Sequence, residues 1–146
     1  MAVKPIPDGY HTITPYMIVN GSKEFIRFTK EVLGAKINHN MQHDDGTTMH
    51  AELQIGDSRV MFSEASSDNP AVPVMLYLYV TDADAIYQKA MSYGAASIME
   101  PRDTFYGDRN AGFMDKSGNK WWVATHIKDV TEAEIAEGAK SYGKKH

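Results

Sequence analysis

The sequence has 146 residues, 42% hydrophobic and 23% charged, ordinary proportions for one soluble globular domain. They exclude a disordered tail, a collagen-like rod and a coiled coil. With 15 Lys and Arg against 19 Asp and Glu the net charge is −4 and no long basic run exists, so nucleic acid is not an expected partner. There is no cysteine, which excludes a disulfide framework, zinc–thiolate sites, iron–sulfur clusters and a cysteine nucleophile.

No apolar stretch follows Met1, so no secretory signal is expected. The first strand signal ends at Val19. A helix then follows, with Ser22 as its expected cap and Phe25, Phe28, Val32 and Leu33 as one apolar stripe. Gly34 suits its left-handed stop. Residues 49–55 and 59–63 read as strands around Gly56, Asp57 and Ser58, a tight hairpin turn. The Ser-, Asp- and Pro-containing stretch 65–73 reads as a linker. The longest apolar run, 72–80, contains Pro73 and falls far short of the ~20 residues of a membrane span. No membrane partner is expected, and the expected location is cytoplasmic. Asp82 can cap a second helix with Ile86, Ala90 and Tyr93 inward and Gly94 as its stop. Residues 110–114 and 120–125 flank a second hairpin turn at 115–119. Thr131 and Glu134 form a capping box for a final helix over about 131–144, stapled by Val130 and Ile135 and weakened by Gly138.

The two halves repeat. A segment ending in Val19 or Val80 leads to a helix, then to Gly34-Ala35 or Gly94-Ala95, then to extended chain, about 60 residues apart. The expected fold is therefore α+β: one domain over 1–146 holding two βαβββ modules at about 10–64 and 74–127. Their curled antiparallel sheets would enclose a cleft, the usual form of a ligand site.

The most distinctive motifs are Tyr10-His11-Thr12-Ile13-Thr14-Pro15-Tyr16, Met49-His50-Ala51-Glu52-Leu53, Tyr106-Gly107-Asp108-Arg109 and the stretch from Asp115-Lys116-Ser117-Gly118-Asn119 through Trp121-Trp122 to His126. With these the chain resembles the vicinal oxygen chelate superfamily, of glyoxalase/bleomycin-resistance fold, and most of all its PhnB-like branch. The resemblance spans nearly the whole chain. It implies a homodimer, and a divalent metal held by one side chain from each of four strands. The positions it implies are Thr14, Met61, Met75 and Trp122, and none is a His or Glu. The expectation is thus no metal and no cofactor. Methyl transfer, a label some relatives carry, finds no Gly-rich loop between a strand and a helix.

Strand parity sets the expected ligand-binding face. If 56–57 turns the hairpin, His50, Glu52, Gln54, Arg59, Met61 and Ser63 share one face. Thr12, Thr14 and Tyr16 would lie together on the first strand, and Met75, Tyr77 and Tyr79 on the fifth. Trp122 joins them, with Phe105, Tyr106 and Arg109 at the mouth. Arg109 could clamp an anion or pair with Asp108 or Asp115. Such a lining suits an aromatic or amphipathic small molecule, held as bleomycin-resistance proteins sequester drugs. The alternative is a metal-dependent glyoxalase-type lyase or isomerase using displaced ligands such as His50, Glu52 and His11; His50 and Glu52 are the weak catalytic candidates. His39, His43, His11 and His126 read as surface or structural residues. A third reading has the cleft filled by the protein's own side chains.

Overall fold

A computed structural model describes residues 2–145. The elements in chain order are β1 (Tyr16–Val19), α1 (Ser22–Leu33), β2 (Lys36–Gln42), β3 (Thr48–Ile55), β4 (Ser58–Glu64), β5 (Met75–Tyr79), α2 (Ala83–Ser92), β6 (Ala96–Asp103), β7 (Asp108–Met114), β8 (Lys120–His126) and α3 (Glu132–Lys145). The chain divides into two compact units: residues up to 74 together with 115–119, and 75–114 together with 120 onward. Among the described residues no helix is long and apolar enough to cross a membrane.

The four strands of the first unit run in the order β1-β4-β3-β2, and those of the second in the order β5-β8-β7-β6. Both sheets are mixed rather than antiparallel, because β1 pairs with β4, and β5 with β8, in parallel. The cause is the helix that follows the first strand of each βαβββ repeat. It carries the chain across the sheet before a three-strand meander returns beside the starting strand.

In the first unit the residues facing α1 make the core. Met17, Val19, Ala51, Leu53, Val60 and Phe62 are buried with Phe25, Phe28 and Val32. The Phe25 and Phe62 rings lie 4.9 Å apart at 54°. Gly34 ends α1 with φ +67, as its position predicts. The start of α1 differs from expectation. Its cap residue is Gly21, and the Glu64 carboxylate reaches from the end of β4 to accept from the Gly21 N–H (2.8 Å), the Ser22 N–H (3.0 Å) and the Ser22 hydroxyl (3.1 Å). A carboxylate there also meets the positive end of the helix dipole. The fully buried Ser22 hydroxyl in turn accepts from the Thr48 N–H, fastening the helix start to β3. The stretch 65–73 is pinned to β1 by a bridge between Val72 and Ile18.

The second unit repeats the scheme. Asp82 caps α2, its carboxylate accepting from the Ala85 N–H at 3.0 Å. Ala90 is buried as expected, but Tyr87 takes the inward place expected of Tyr93. The helix stops at Ser92, so Tyr93 falls on the cap and leaves the helical stripe. Trp121, Val123, Ala111 and Phe113 are fully buried on the helix-covered side. The capping box opens α3: the Glu134 N–H donates to the Thr131 hydroxyl oxygen at 3.1 Å, and that hydroxyl lies 3.2 Å from the Glu134 carboxylate. Gly138 is more than a weak helix residue. A Cβ there would stand 2.5 Å from the Phe105 Cβ, so glycine lets α3 lie close on Phe105.

Candidate functional site

Each sheet has one face covered by a helix and one face left open, and the open faces carry most of the expected lining residues. In the first unit the register pairs Glu52 with Met61, Gln54 with Arg59 and Tyr16 with Met61. Parity then puts Tyr16, His50, Glu52, Gln54, Arg59, Met61 and Ser63 on one face, none of them fully buried. Thr12 and Thr14 do not share the strand, because β1 begins only at Tyr16; the Thr14 hydroxyl donates to the His11 carbonyl at 3.4 Å.

The polar groups of this face are largely taken by neighbours. His50 Nδ1 lies 3.2 Å from the Tyr16 hydroxyl. Arg59 Nε donates to Gln54 Oε1 at 2.9 Å, and its guanidinium sits 4.9 Å above the Tyr10 ring. Burial raises the pKa of the Tyr10 phenol, and the nearby Glu52 carboxylate raises it further. Glu52 makes no ion pair, with Arg59 or any other cation, among the described residues.

The open face of the second unit is different in kind. Met75, Tyr77 and Tyr79 are 65%, 45% and 67% exposed. The register sets Tyr77 beside Trp122, and Trp122 beside Gly112. A Cβ added at Gly112 would stand 3.0 Å from three separate atoms of the Trp122 indole. Equal distances to atoms spread around the ring mean that the indole lies flat over the glycine. Gly112 thus seats a partly exposed aromatic platform.

Next to this platform lies a polar network that parity arguments did not single out. Asp108 is only 2% exposed. Its Oδ2 accepts from the Tyr79 hydroxyl (2.9 Å) and the Tyr77 hydroxyl (3.3 Å), and its Oδ1 is 2.9 Å from His126 Nδ1. Asn110 Nδ2 donates to the Tyr77 and Tyr106 oxygens at 3.2 and 3.0 Å. The buried Asn110 Oδ1 has no hydrogen-bond partner among the described residues. Burial, more than any neighbour, pushes the Tyr77 phenol up to about 12. The hydrogen bond to Asp108 raises the Tyr79 phenol. The signal was present in the sequence. With the hairpin centred on 115–119, residues 108, 110 and 112 fall opposite 126, 124 and 122.

Arg109 sits elsewhere than expected. Arg109 lies between Asp108 and Asn110 on its strand and so points to the α2 side. There Asp84 takes its guanidinium in a fork, at 2.7 and 3.0 Å, and Asp103 takes the third nitrogen at 3.1 Å. It is neither a free anion clamp nor the partner of Asp108 or Asp115. Phe105 packs on α3, with its ring 5.8 Å from that of Tyr142 and 5.2 Å from that of Tyr106.

His126 bridges Asp108 and, through Nε2 at 2.7 Å, Asp129. These bonds, Asp108's first, raise its pKa above the ordinary 6.5. A raised folded-state value means that the charged imidazole favours the native state. The contribution is complete below the ordinary imidazole range and is lost as pH rises through the raised value. The His126 contribution to the wild type's melting temperature should therefore fall as pH rises from the ordinary imidazole value of 6.5 upward, and His126→Gln should flatten that slope. Proton NMR titration of the His126 ring should return a midpoint above 6.5; a midpoint below it would refute the assignment.

The chemistry of the metal positions implied by the resemblance can be judged side chain by side chain. Thr14 and Met61 in the first unit, and Met75 and Trp122 in the second, offer a hydroxyl, two thioethers and an indole. Divalent ions that polarise oxygen substrates take carboxylates and imidazoles, so this donor set does not fit them. Among the described residues no group of three or more His, Asp or Glu is arranged to hold a metal ion.

Residues 10–123 match the Glyoxalase/Bleomycin resistance protein/Dioxygenase superfamily. An uncharacterized protein of Mycobacterium bovis is 28% identical over 142 residues, covering 90% of this chain and 93% of that one. Among solved structures, the PhnB protein from Bacillus cereus superposes with a TM-score of 0.65 at 18% identity, covering 79% of this chain and 99% of that one. The fosfomycin resistance protein FosX from Mesorhizobium loti superposes with a TM-score of 0.60 at 16% identity, covering 86% and 97%. At such identities these two structures speak for the fold alone.

Proposed function

The chain belongs to the glyoxalase/bleomycin resistance protein/dioxygenase superfamily, and from that premise we propose that it is a small-molecule-binding member. It holds an aromatic or amphipathic ligand by stacking and works without the divalent metal of the superfamily's metal-dependent pattern. The observation that carries this reading is the Trp122 indole lying flat on Gly112 beside the exposed Tyr77, Tyr79 and Met75. An open aromatic surface with a few fixed polar groups at its margin suits a flat ligand. A thioether alongside adds a soft contact for such a ring.

Trp121 is fully buried while Trp122 is partly exposed, so ligand contact reads out through Trp122 fluorescence. Titration with an acridine probe, neutral or N-methylated, should quench that emission saturably. Gly112→Ala places a methyl group against the indole and should weaken binding about ten-fold, the loss expected when a stacking contact is misaligned. Its far-UV circular dichroism should stay that of the wild type. Trp122→Leu, which keeps an apolar side chain but removes the platform, should abolish binding as judged by calorimetry. No saturable binding of either probe would overturn the proposal. So would a stoichiometric divalent metal that raises the melting temperature and is lost on His50→Ala or Glu52→Ala.

A further inference from the structure

Stacking leaves the charge of the ligand open, and the second unit's open face decides it. We infer that this face selects an organic cation, bound over the Tyr77 and Tyr79 rings and the Trp122 indole. The inference rests on the binding reading above and narrows it.

Both phenols donate to one buried carboxylate oxygen, Asp108 Oδ2. A phenol donating to a carboxylate shares some of its negative charge, and its ring becomes richer in π density. The two rings meet at 5.5 Å and 63°, edge toward face. The register brings Trp122 next to Tyr77. Three aromatic side chains therefore gather near a buried anion, the arrangement that attracts a cation to ring faces.

The charges around the carboxylate support the same sign. His126 faces Asp108 from β8, but its other nitrogen is held by Asp129, so the trio keeps a net negative charge even with the imidazole protonated. Arg109 is turned to the α2 side and held by Asp84 and Asp103. Lys120 has the parity of Trp122, but it stands opposite Met75 at the far end of β5. Four residues of strand, ~13 Å, separate it from Ala124, the neighbour of Tyr79. Arg102, opposite Asn110 in the register, shares this face at its β6 edge, three strands from the β5 tyrosines, and Lys128 beyond β8 is paired with Glu134 at 3.8 Å. Over the tyrosine rings themselves the nearer charge is the Asp108 carboxylate, which an anionic ligand would have to face.

Three probes of one shape test this: acridine, N-methylacridinium and an acridine carboxylate, titrated in mildly alkaline buffer where acridine is neutral. N-methylacridinium should bind about ten-fold tighter than acridine, the upper part of the exposed cation–π range, and the carboxylate weakest of all. Tyr79→Phe keeps the ring and removes its bond to Asp108. It should shrink the ratio of the cation's affinity to acridine's, which is the quantity read. Tyr79 is exposed, so this variant is expected to fold; Asp108→Asn, provided its circular dichroism is native, should remove most of the advantage. If acridine or the carboxylate binds as tightly as the cation, or if Tyr79→Phe weakens all three probes equally, the cation inference fails while the binding proposal stands. If none of the three binds, both fail.

Discussion

Gly107→Ala should leave little folded protein. Gly107 has φ +94, a conformation that an L side chain adopts only under strain. More decisive is what surrounds it. A Cβ there would fall on the carbonyl oxygen of Lys128, a backbone atom that cannot rotate away. The same stretch is tied in place, because the Gly107 carbonyl accepts from both the Ile127 N–H (2.9 Å) and the Lys128 N–H (3.1 Å). The methyl group must therefore push apart two strand ends that these bonds hold together. Strain and lost hydrogen bonds together should cost at least about 3 kcal/mol, against a typical domain stability of about 5–15 kcal/mol. Chemical denaturation should show the midpoint falling sharply, or the variant should be insoluble. Because Tyr106 and Asp108 flank Gly107, whatever folds should also lose the probe affinity. A midpoint within ordinary surface-mutation range would mean that the turn can reorganise, and that the position of Asp108 is less fixed than its bonds suggest.

Gly107 also shows what the sequence did and did not disclose. The repeat at about 60 residues, the glycine stops of the first two helices and the capping box of α3 are local patterns, and local physics decides them. Strand parity placed His50, Glu52, Met61, Tyr77 and Trp122 because a period of two survives any detail of packing. What escaped was long-range or competitive. Ser22 is a good cap by type, but Glu64, 42 residues away, has the better reach and charge for the orphan amides, which frees Ser22 to bond Thr48. Arg109 beside Asp108 suggested a neighbouring pair. Adjacent strand residues point to opposite faces, however, so its partner had to come from the helix on its own side, and Asp84 is there. The Asp108 network escaped for a similar reason. The hairpin register sets Asp108 opposite His126, but the tyrosines that join them come from β5 and the turn before β7, and no spacing within the hairpin announces those.

The second large effect is expected where the most distinctive motif of the sequence turns out to be architectural. Asp115→Ala should destabilise the protein by about 3 kcal/mol. The buried Asp115 carboxylate accepts from the Ser117 N–H (2.9 Å), the Asn119 N–H (3.0 Å) and the Asn119 side-chain amide (3.1 Å). Asn119 is itself only 1% exposed, and its Oδ1 accepts from the Val74 N–H at 3.1 Å. Removing the carboxylate leaves buried donors with no water to turn to, at about 1–3 kcal/mol each, and loosens the Asn119 amide that fixes Val74. Val74 leads directly into β5, so the damage should extend toward Met75 and Tyr77. The turn at Asp45 supplies the control. Its carboxylate accepts from the Thr47 N–H (2.9 Å) and hydroxyl (2.6 Å) in the same manner, but it lies in solvent. Asp45→Ala should therefore have a small effect, since water replaces what the carboxylate gave. Denaturant midpoints of the two variants measured side by side decide the matter. Equal, small losses would show that burial at Asp115 does not govern the energetics of the turn. A large loss at Asp115 alone would mean that Asp115-Lys116-Ser117-Gly118-Asn119 acts by building a rigid turn that holds Val74.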